Sequence, residues 1–170
     1  MIPIRKFDRS NQLYLRAIES IPLGSQTFSK SVTNCVAGVS PLFLDRGDGA
    51  YVWDPDGNRY IDFVIGLMPM ILGYRDPDVD RAIKDQIEKG ILFSLPSTVE
   101  MELAEKLINI VPSAEMVRFG KNGSDATTAA IRVARAYTGR DKIIVCGYHG
   151  WHDWYIGTTT RNLGVPIEIQ

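Results

Sequence analysis

Residues 117–154 read VRFGKNGSDATTAAIRVARAYTGRDKIIVCGYHGWHDW, and the alternation of element types within this stretch decides the fold. Met116–Phe119 predicts a short strand. Lys121-Asn122-Gly123-Ser124-Asp125 is a tight polar turn, and Ala126–Tyr137 is a helix full of small residues that Thr138-Gly139-Arg140-Asp141 stops. Lys142–Cys146 carries the continuous apolar run Ile143-Ile144-Val145, as expected of a strand covered on both faces. Strand, turn, helix and strand make a βαβ unit with a right-handed crossover. The class is therefore α/β, with a mostly parallel sheet starting near residue 115.

Two segments of this unit carry chemistry. At Asn122-Gly123-Ser124 a helix begins directly after a strand. Its free N–H groups and positive dipole end face whatever occupies the turn. Gly123 lets the backbone approach a ligand closely, and Ser124 adds a hydroxyl, so an anion such as phosphate suits the place. The same residues also suit an ordinary N-cap without a ligand, and Asp125 opposes an anion unless its side chain turns away. The second segment is Gly147-Tyr148-His149-Gly150-Trp151-His152-Asp153-Trp154, at the carboxyl end of the next strand, where open α/β sheets bind ligands. Gly147 and Gly150 bracket Tyr148 and His149. A flat aromatic here can stack on a flat ring, or serve simply as a core or interface aromatic. His149 and His152 stand at HxxH spacing, but not in the helical HExxH arrangement of zinc hydrolases, so no metal is expected. Nucleotide-binding loops of the GxxxxGK[ST] and GxGxxG kinds are absent, as is a GxSxG nucleophile elbow.

Working outward, residues 4–19 predict a helix, and 21–40 an irregular stretch rich in Ser, Gly and Thr. Residues 42–64 predict strands: Pro41–Leu44 is a short apolar run, Arg46–Gly49 a turn, and Ala50–Trp53 with Arg59–Val64 a hairpin around Asp54-Pro55-Asp56-Gly57-Asn58. Asp76-Pro77 opens a helix whose stripe is Val79, Ile83, Ile87 and Ile91. Ser97 and Glu100 fit a capping box for the next helix, with Val99, Leu103, Leu107 and Ile110 on its apolar face. Across all 170 residues the net charge is −1, which gives no electrostatic case for nucleic acid or an anionic membrane. No apolar run approaches the roughly 20 residues of a membrane span. No signal peptide is recognisable at the N-terminus, and the two cysteines, Cys35 and Cys146, form no CxxC pair. A cytoplasmic protein is expected.

Taken together, the 117–154 stretch, GAYVWDPDGNRYIDF (49–63), MPMILGYRDPDV (68–79) and VEMELAEKL (99–107) resemble the class III aminotransferases. The resemblance spans about residues 20–160. It implies a fold type I pyridoxal-phosphate enzyme. Residues 1–75 would be the N-terminal helix, active-site loop and hairpin segment of the small domain, and 76–170 the first part of the large cofactor-binding domain. It implies pyridoxal 5′-phosphate as cofactor, a homodimer, and a small-molecule amino donor with a keto or aldehyde acceptor. By position, Asn122, Gly123 and Ser124 match the segment that holds the cofactor phosphate. Tyr148 matches the aromatic on the pyridine ring, with His149 and Gly150 completing the motif. The family's Schiff-base Lys and the Asp facing the pyridine nitrogen are expected beyond residue 170, since none of the seven lysines here stands at the matching position. Pro166–Gln170 reads as an incoming strand, so an N-terminal fragment, inactive alone, is expected.

The resemblance also bears on the substrate side, where Gln26, Thr27 and Lys30 are the candidate residues. In family members that are aminomutases of the glutamate-1-semialdehyde type, an Arg grips the substrate carboxylate. Lys30 falls at that Arg and cannot make its planar, bidentate contact. Leu67 stands where those enzymes carry a Trp. These two differences favour a transaminase, with a keto-sugar as one acceptor that Ser25, Gln26, Thr27 and Ser29 would suit. The aminomutase remains the alternative, and a non-catalytic domain binding a phosphorylated ligand a second one.

Overall fold

A computed structural model describes residues 5–36 and 38–170 of the chain; Ile4, the first residue of the helix expected from the sequence, lies outside them. That helix, α1, runs Asp8–Ala17 and starts later than expected. Its N-cap position is Phe7, which has no side-chain oxygen. A carboxylate from far along the chain takes over: Asp56 accepts from the N–H groups of Arg9 (2.7 Å) and Ser10 (2.9 Å) and from the Ser10 hydroxyl (2.6 Å). The helix begins where that cap can reach its free N–H groups. Three short 3-10 turns follow, at Pro22–Gly24, Phe28–Lys30 and Val32–Asn34.

A three-stranded antiparallel meander stands at the centre of this part of the chain: β1 (Arg46–Asp48), β2 (Tyr51–Trp53) and β3 (Arg59–Ile61), in that order. The hairpin of β2 and β3 around residues 54–58 matches the expectation, with Val52 opposite Tyr60. Arg46–Gly49 does not form the expected turn. Its first three residues are β1, with Gly47 opposite Val52, while Pro41–Leu44 is not a strand. The glycine that suggested a turn serves packing instead. A Cβ at Gly47 would lie 2.4 Å from the Tyr74 ring, so glycine marks the close approach of a side chain to the strand. Val52 is buried in the middle strand and Asp54 at the start of the turn that follows it. Asp54 Oδ2 accepts from the Tyr60 hydroxyl (2.7 Å) and the Asn58 amide (2.8 Å), and Oδ1 from the Asn58 N–H (2.8 Å). These bonds pin the hairpin turn.

Helix α2 spans Pro77–Ile87, with the Asp76 carboxylate accepting from the N–H groups of Asp78 and Val79. Helix α3 spans Thr98–Ile110. Ser97 caps it by accepting from Val99 N–H rather than Glu100 N–H, which goes to the Ser97 carbonyl, so the box is not the reciprocal one expected. Helix α4 spans Gly123–Thr138, three residues longer at its start than expected, and ends at Gly139 in the left-handed conformation. A four-residue helix, α5, covers Asp153–Ile156. The chain divides into two units between Leu92 and Phe93.

The expected parallel strands are not paired. Residues 116–119 and 142–146 join no ladder among the described residues, and Pro166–Gln170 ends in a turn closed by Ile169 N–H on the Pro166 carbonyl instead of a strand. An apolar run becomes a strand only beside a neighbour about 4.8 Å away. The exposure of individual side chains points the same way. Ile144 and Met116, from the two unpaired runs, are almost wholly exposed, and the Val79, Ile83, Ile87 and Ile91 stripe is exposed along its length.

Candidate functional site

The unit from Phe93 onward brings the two chemical segments into contact. Three hydroxyls of α4 at i, i+3 and i+4 spacing share one helix face, and each meets the loop 147–154. Ser124 Oγ accepts from the Trp151 N–H at 3.4 Å. The Thr127 hydroxyl donates to the His149 carbonyl at 3.0 Å. Thr128 Oγ1 accepts from the Trp154 indole N–H and pairs with His152 Nδ1, both at 2.8 Å. Thr127 and Thr128 carry contacts that reading the two segments separately does not reveal; their spacing from Ser124 marks a shared helix face but not the loop that meets it.

The loop takes its shape from two glycines. Gly147 (φ 83°) and Gly150 (φ 109°) adopt conformations that side-chain-bearing residues rarely take. Gly150 is buried, and a Cβ there would stand 2.3 Å from Ser124 Oγ and 3.2 Å from Ser124 Cα. Between the two glycines, Tyr148 and His149 both lean edge-on against Tyr155, with ring centroids at 5.7 and 5.5 Å. Tyr155 is buried in α5 and its hydroxyl donates to the Gly147 carbonyl at 2.8 Å. It is the pedestal of the loop, a role that its place beyond the motif did not disclose. Tyr148 itself is 77% exposed, so one ring face is open to a ligand. His149 Nε2 lies 2.7 Å from the Cys146 carbonyl; a carbonyl only accepts, so that nitrogen carries the proton.

At the start of α4 the first N–H groups have no carbonyl one turn earlier to receive them. A Cβ at Gly123 would meet nothing within 4 Å, so the space on that side of the helix start is open. Asp125 does not fill it: its Oδ2 turns back to accept the Asn122 N–H at 3.0 Å, and its Oδ1 stands 3.9 Å from His152 Nε2. Asn122, Gly123 and Ser124 thus stand at the start of α4, with Gly150 packed on Ser124 and Tyr148 two residues further back along the loop.

The unit up to Leu92 holds a cavity of about 710 Å³, largely apolar, lined among others by Ser25, Ser29, Lys30, Cys35 and Leu67. Gln26 and Thr27 do not line it; Thr27 opens the turn Phe28–Lys30, where its carbonyl accepts from the Ser25 hydroxyl at 3.0 Å. Tyr60, Asp62 and Tyr74 also line the cavity. Tyr74 donates to Asp62 Oδ2 at 2.6 Å, and this bond, with burial and the carboxylate charge, pushes the Tyr74 pKa up to about 12. Burial works to raise the Asp62 carboxyl, but the Tyr74 hydroxyl and the N–H groups of Val64, Ile65 and Gly66 outweigh it and hold it below its ordinary value. Tyr60 is pushed up to about 12 by burial and by its bond to Asp54. Leu67 on this wall, and Ile65 and Met68 beside it in the chain, take left-handed backbone conformations, each a local strain of about 1–2 kcal/mol. Among the described residues no three His, Cys, Asp or Glu side chains gather to hold a metal, and no helix is long and apolar enough to cross a membrane.

The second unit thus sets the start of α4 directly against an aromatic loop. Comparison with known proteins gives the family. The model described as "Aminotransferase class-III" matches residues 34–169. The chain is 41% identical over 162 residues to the glutamate-1-semialdehyde 2,1-aminomutase of Methanothrix thermoacetophila, covering 92% of this chain and 37% of that protein. It is 46% identical over 165 residues to the 3-aminobutyryl-CoA aminotransferase of Cloacimonas acidaminovorans, covering 96% and 39%. Among solved structures it resembles the PLP internal aldimine form of the FumI protein of Sphingopyxis sp. MTA144, with a TM-score of 0.80 at 36% identity over 86% of this chain and 35% of that one. The chain belongs to the class III aminotransferase family, and its fold is that of the type I pyridoxal-phosphate enzymes. It spans less than two-fifths of the length of the curated relatives it matches. The family's cofactor is pyridoxal 5′-phosphate, and the open cradle at Gly123, the turned-away Asp125 and the exposed Tyr148 face all fit it.

Proposed function

We propose that this chain supplies the phosphate cradle and the ring-stacking loop of a pyridoxal-phosphate-dependent transaminase. The enzyme moves an amino group from a small donor to a keto or aldehyde acceptor. The observation that carries this reading is the packing of Gly150 on Ser124, which ties an anion-binding helix start to an aromatic loop. When bound, the cofactor's pyridine ring supplies an electron sink for the charge left as a proton leaves the carbon bearing nitrogen. The chain's own residues bind and orient. The N–H groups at the start of α4 and the Ser124 hydroxyl take the phosphate, the helix dipole favours its charge, and Tyr148 covers one ring face. Lys30 on the wall of the N-terminal cavity supplies a positive charge for an anionic group of the substrate, while the apolar lining suits an apolar body. Ser25 and Ser29 on the same wall keep a hydroxyl-rich sugar as a second substrate class. Two free thiols far apart in the sequence fit a reducing cytoplasm, and the many exposed large apolar side chains fit a homodimer.

An aminomutase of the semialdehyde type is the second reading, supported by the 41% identity to one such enzyme. Cofactor titration of the protein at its natural length tests the cradle. Ser124→Ala should cost about 1.5–3 kcal/mol of cofactor binding if its hydroxyl bonds a phosphate dianion. Tyr148→Ala should cost about 1–3 kcal/mol, the scale of base–aromatic stacking. Unchanged affinity in both returns these residues to a structural role. Assays with amino donors and keto acids or keto-sugars, against glutamate-1-semialdehyde, separate the two readings: efficient conversion of the semialdehyde without net amino transfer would overturn the transaminase.

A further inference from the structure

We propose that His152 is a positioning residue for the cofactor phosphate, holding the Asp125 carboxylate out of the anion cradle. The proposal rests on the reading that phosphate sits at Asn122–Ser124. Asp125 lies in the first turn of α4, where a carboxylate could rotate toward the free N–H groups and compete with an anion for them. Two contacts keep it aside. Its Oδ2 accepts the Asn122 N–H at 3.0 Å, and its Oδ1 faces His152 Nε2 at 3.9 Å, an electrostatic contact rather than a hydrogen bond.

The ring is oriented for that contact by α4 and the loop together. The Trp154 indole N–H can only donate, and it donates to Thr128 Oγ1. The Thr128 hydroxyl hydrogen is left free to point at His152 Nδ1, 2.8 Å away. In the arrangement proposed, Nδ1 accepts it and the neutral ring carries its proton at Nε2, the atom facing Asp125. The hydrogen bonds then run in one direction, from Trp154 through Thr128 and His152 toward the carboxylate. A protonated ring presents the same Nε2 N–H to Asp125. Trp151 stacks edge-on against the ring at 5.5 Å and limits its rotation. The same three residues that fasten the loop to the helix thereby also hold the Asp125 carboxylate on the Asn122 N–H, aside from the N–H groups of Gly123 and Ser124.

The test compares pyridoxal 5′-phosphate with phosphate-free pyridoxal, titrated into the protein at its natural length. Wild type should prefer the phosphorylated form strongly. His152→Ala should narrow that preference by about tenfold, the size of one modest electrostatic contact, with little change for pyridoxal. Thr128→Val, which keeps the shape of the side chain, should narrow it in the same direction. Adding Asp125→Asn to His152→Ala should restore the preference, because an amide brings no charge to the cradle. A merely structural His152 would weaken both ligands alike and would not be rescued by Asp125→Asn; either result overturns the proposal. A wild type without any preference for the phosphorylated form would overturn the cradle reading itself, and this inference with it.

Discussion

Replacing Gly123 and Gly150 by Ala in turn should separate binding from folding at one site. The two glycines flank Ser124, one in the chain and one in space, but face different surroundings. At Gly150 a Cβ would stand 2.3 Å from Ser124 Oγ, 3.0 Å from its Cβ and 3.2 Å from its Cα. The hydroxyl can rotate away, at the expense of its bond to Trp151 N–H, but the α-carbon cannot. The φ of 109° adds a backbone conformation foreign to alanine. Strained backbone costs about 1–3 kcal/mol and overpacking typically another 1–3 kcal/mol, so Gly150→Ala should destabilise the second unit by about 2–6 kcal/mol. At Gly123 a Cβ meets no atom of the chain, and alanine in a helix is favoured over glycine by up to about 1 kcal/mol. Gly123→Ala should therefore melt at or slightly above the wild-type temperature. Its cofactor affinity should nonetheless fall roughly 10- to 100-fold, the worth of one charge-assisted hydrogen bond. Thermal melting followed by circular dichroism, paired with spectroscopic cofactor titration, reads both quantities on the same samples. A Gly123→Ala protein that binds cofactor as tightly as wild type would refute the placement of the phosphate; a Gly150→Ala protein with an unchanged melt would refute the Ser124 contact.

Tyr60 and Tyr74 should be the late fraction in an alkaline titration of the seven tyrosines, ionising near pH 12 rather than 10. A folded pKa above the unfolded one contributes stability that is intact below pH 10 and lost as pH rises through about 12; for Asp62, whose pKa is lowered, the contribution is present above its ordinary 3.8 and lost as pH falls through the lowered value. Tyr74→Phe should remove half of the late tyrosinate absorbance, and an unaltered late fraction would count against the Asp62 contact. Asp54→Ala leaves the Tyr60 hydroxyl and the Asn58 amide without their acceptor and should destabilise the N-terminal unit by about 2–4 kcal/mol. The same substitution should return Tyr60 part of the way toward 10.0, and a wild-type melt with an unmoved Tyr60 would contradict it.

Elements whose causes are local are legible in the residues themselves. Asp76-Pro77 starts α2 because the cap and the helix it caps are adjacent, and the 54–58 hairpin forms because its turn residues are contiguous. Arg46–Asp48 reads wrongly as a turn because two nearby glycines suggest one, while the reason for Gly47 is the ring of Tyr74, 27 residues on. The runs at 116–119 and 142–146 have strand composition, but composition does not supply the neighbour that makes a ladder. At the candidate site the residue types at Asn122–Ser124 and Tyr148–Gly150 are readable from turn chemistry. The bonds from Thr127 and Thr128 across 22 to 26 residues are not, because nothing in a segment says which loop will lie on its helix face.

The Asp56 cap on α1 has a kinetic consequence. A ten-residue helix with no cap of its own is a poor nucleus in water, since the first turn fixes several residues for a single hydrogen bond. Its N–H groups find their acceptor only once the β2–β3 turn has placed Asp56 beside them, 46 to 47 residues downstream. Hairpins close on the microsecond scale from contacts close in sequence, whereas this cap must wait for a long loop to close. The meander should accordingly be structured in the folding transition state and α1 should dock afterwards. In that order, substitutions at Asp56 or Ser10 speed unfolding and leave the folding rate nearly untouched, while substitutions at Val52 slow folding.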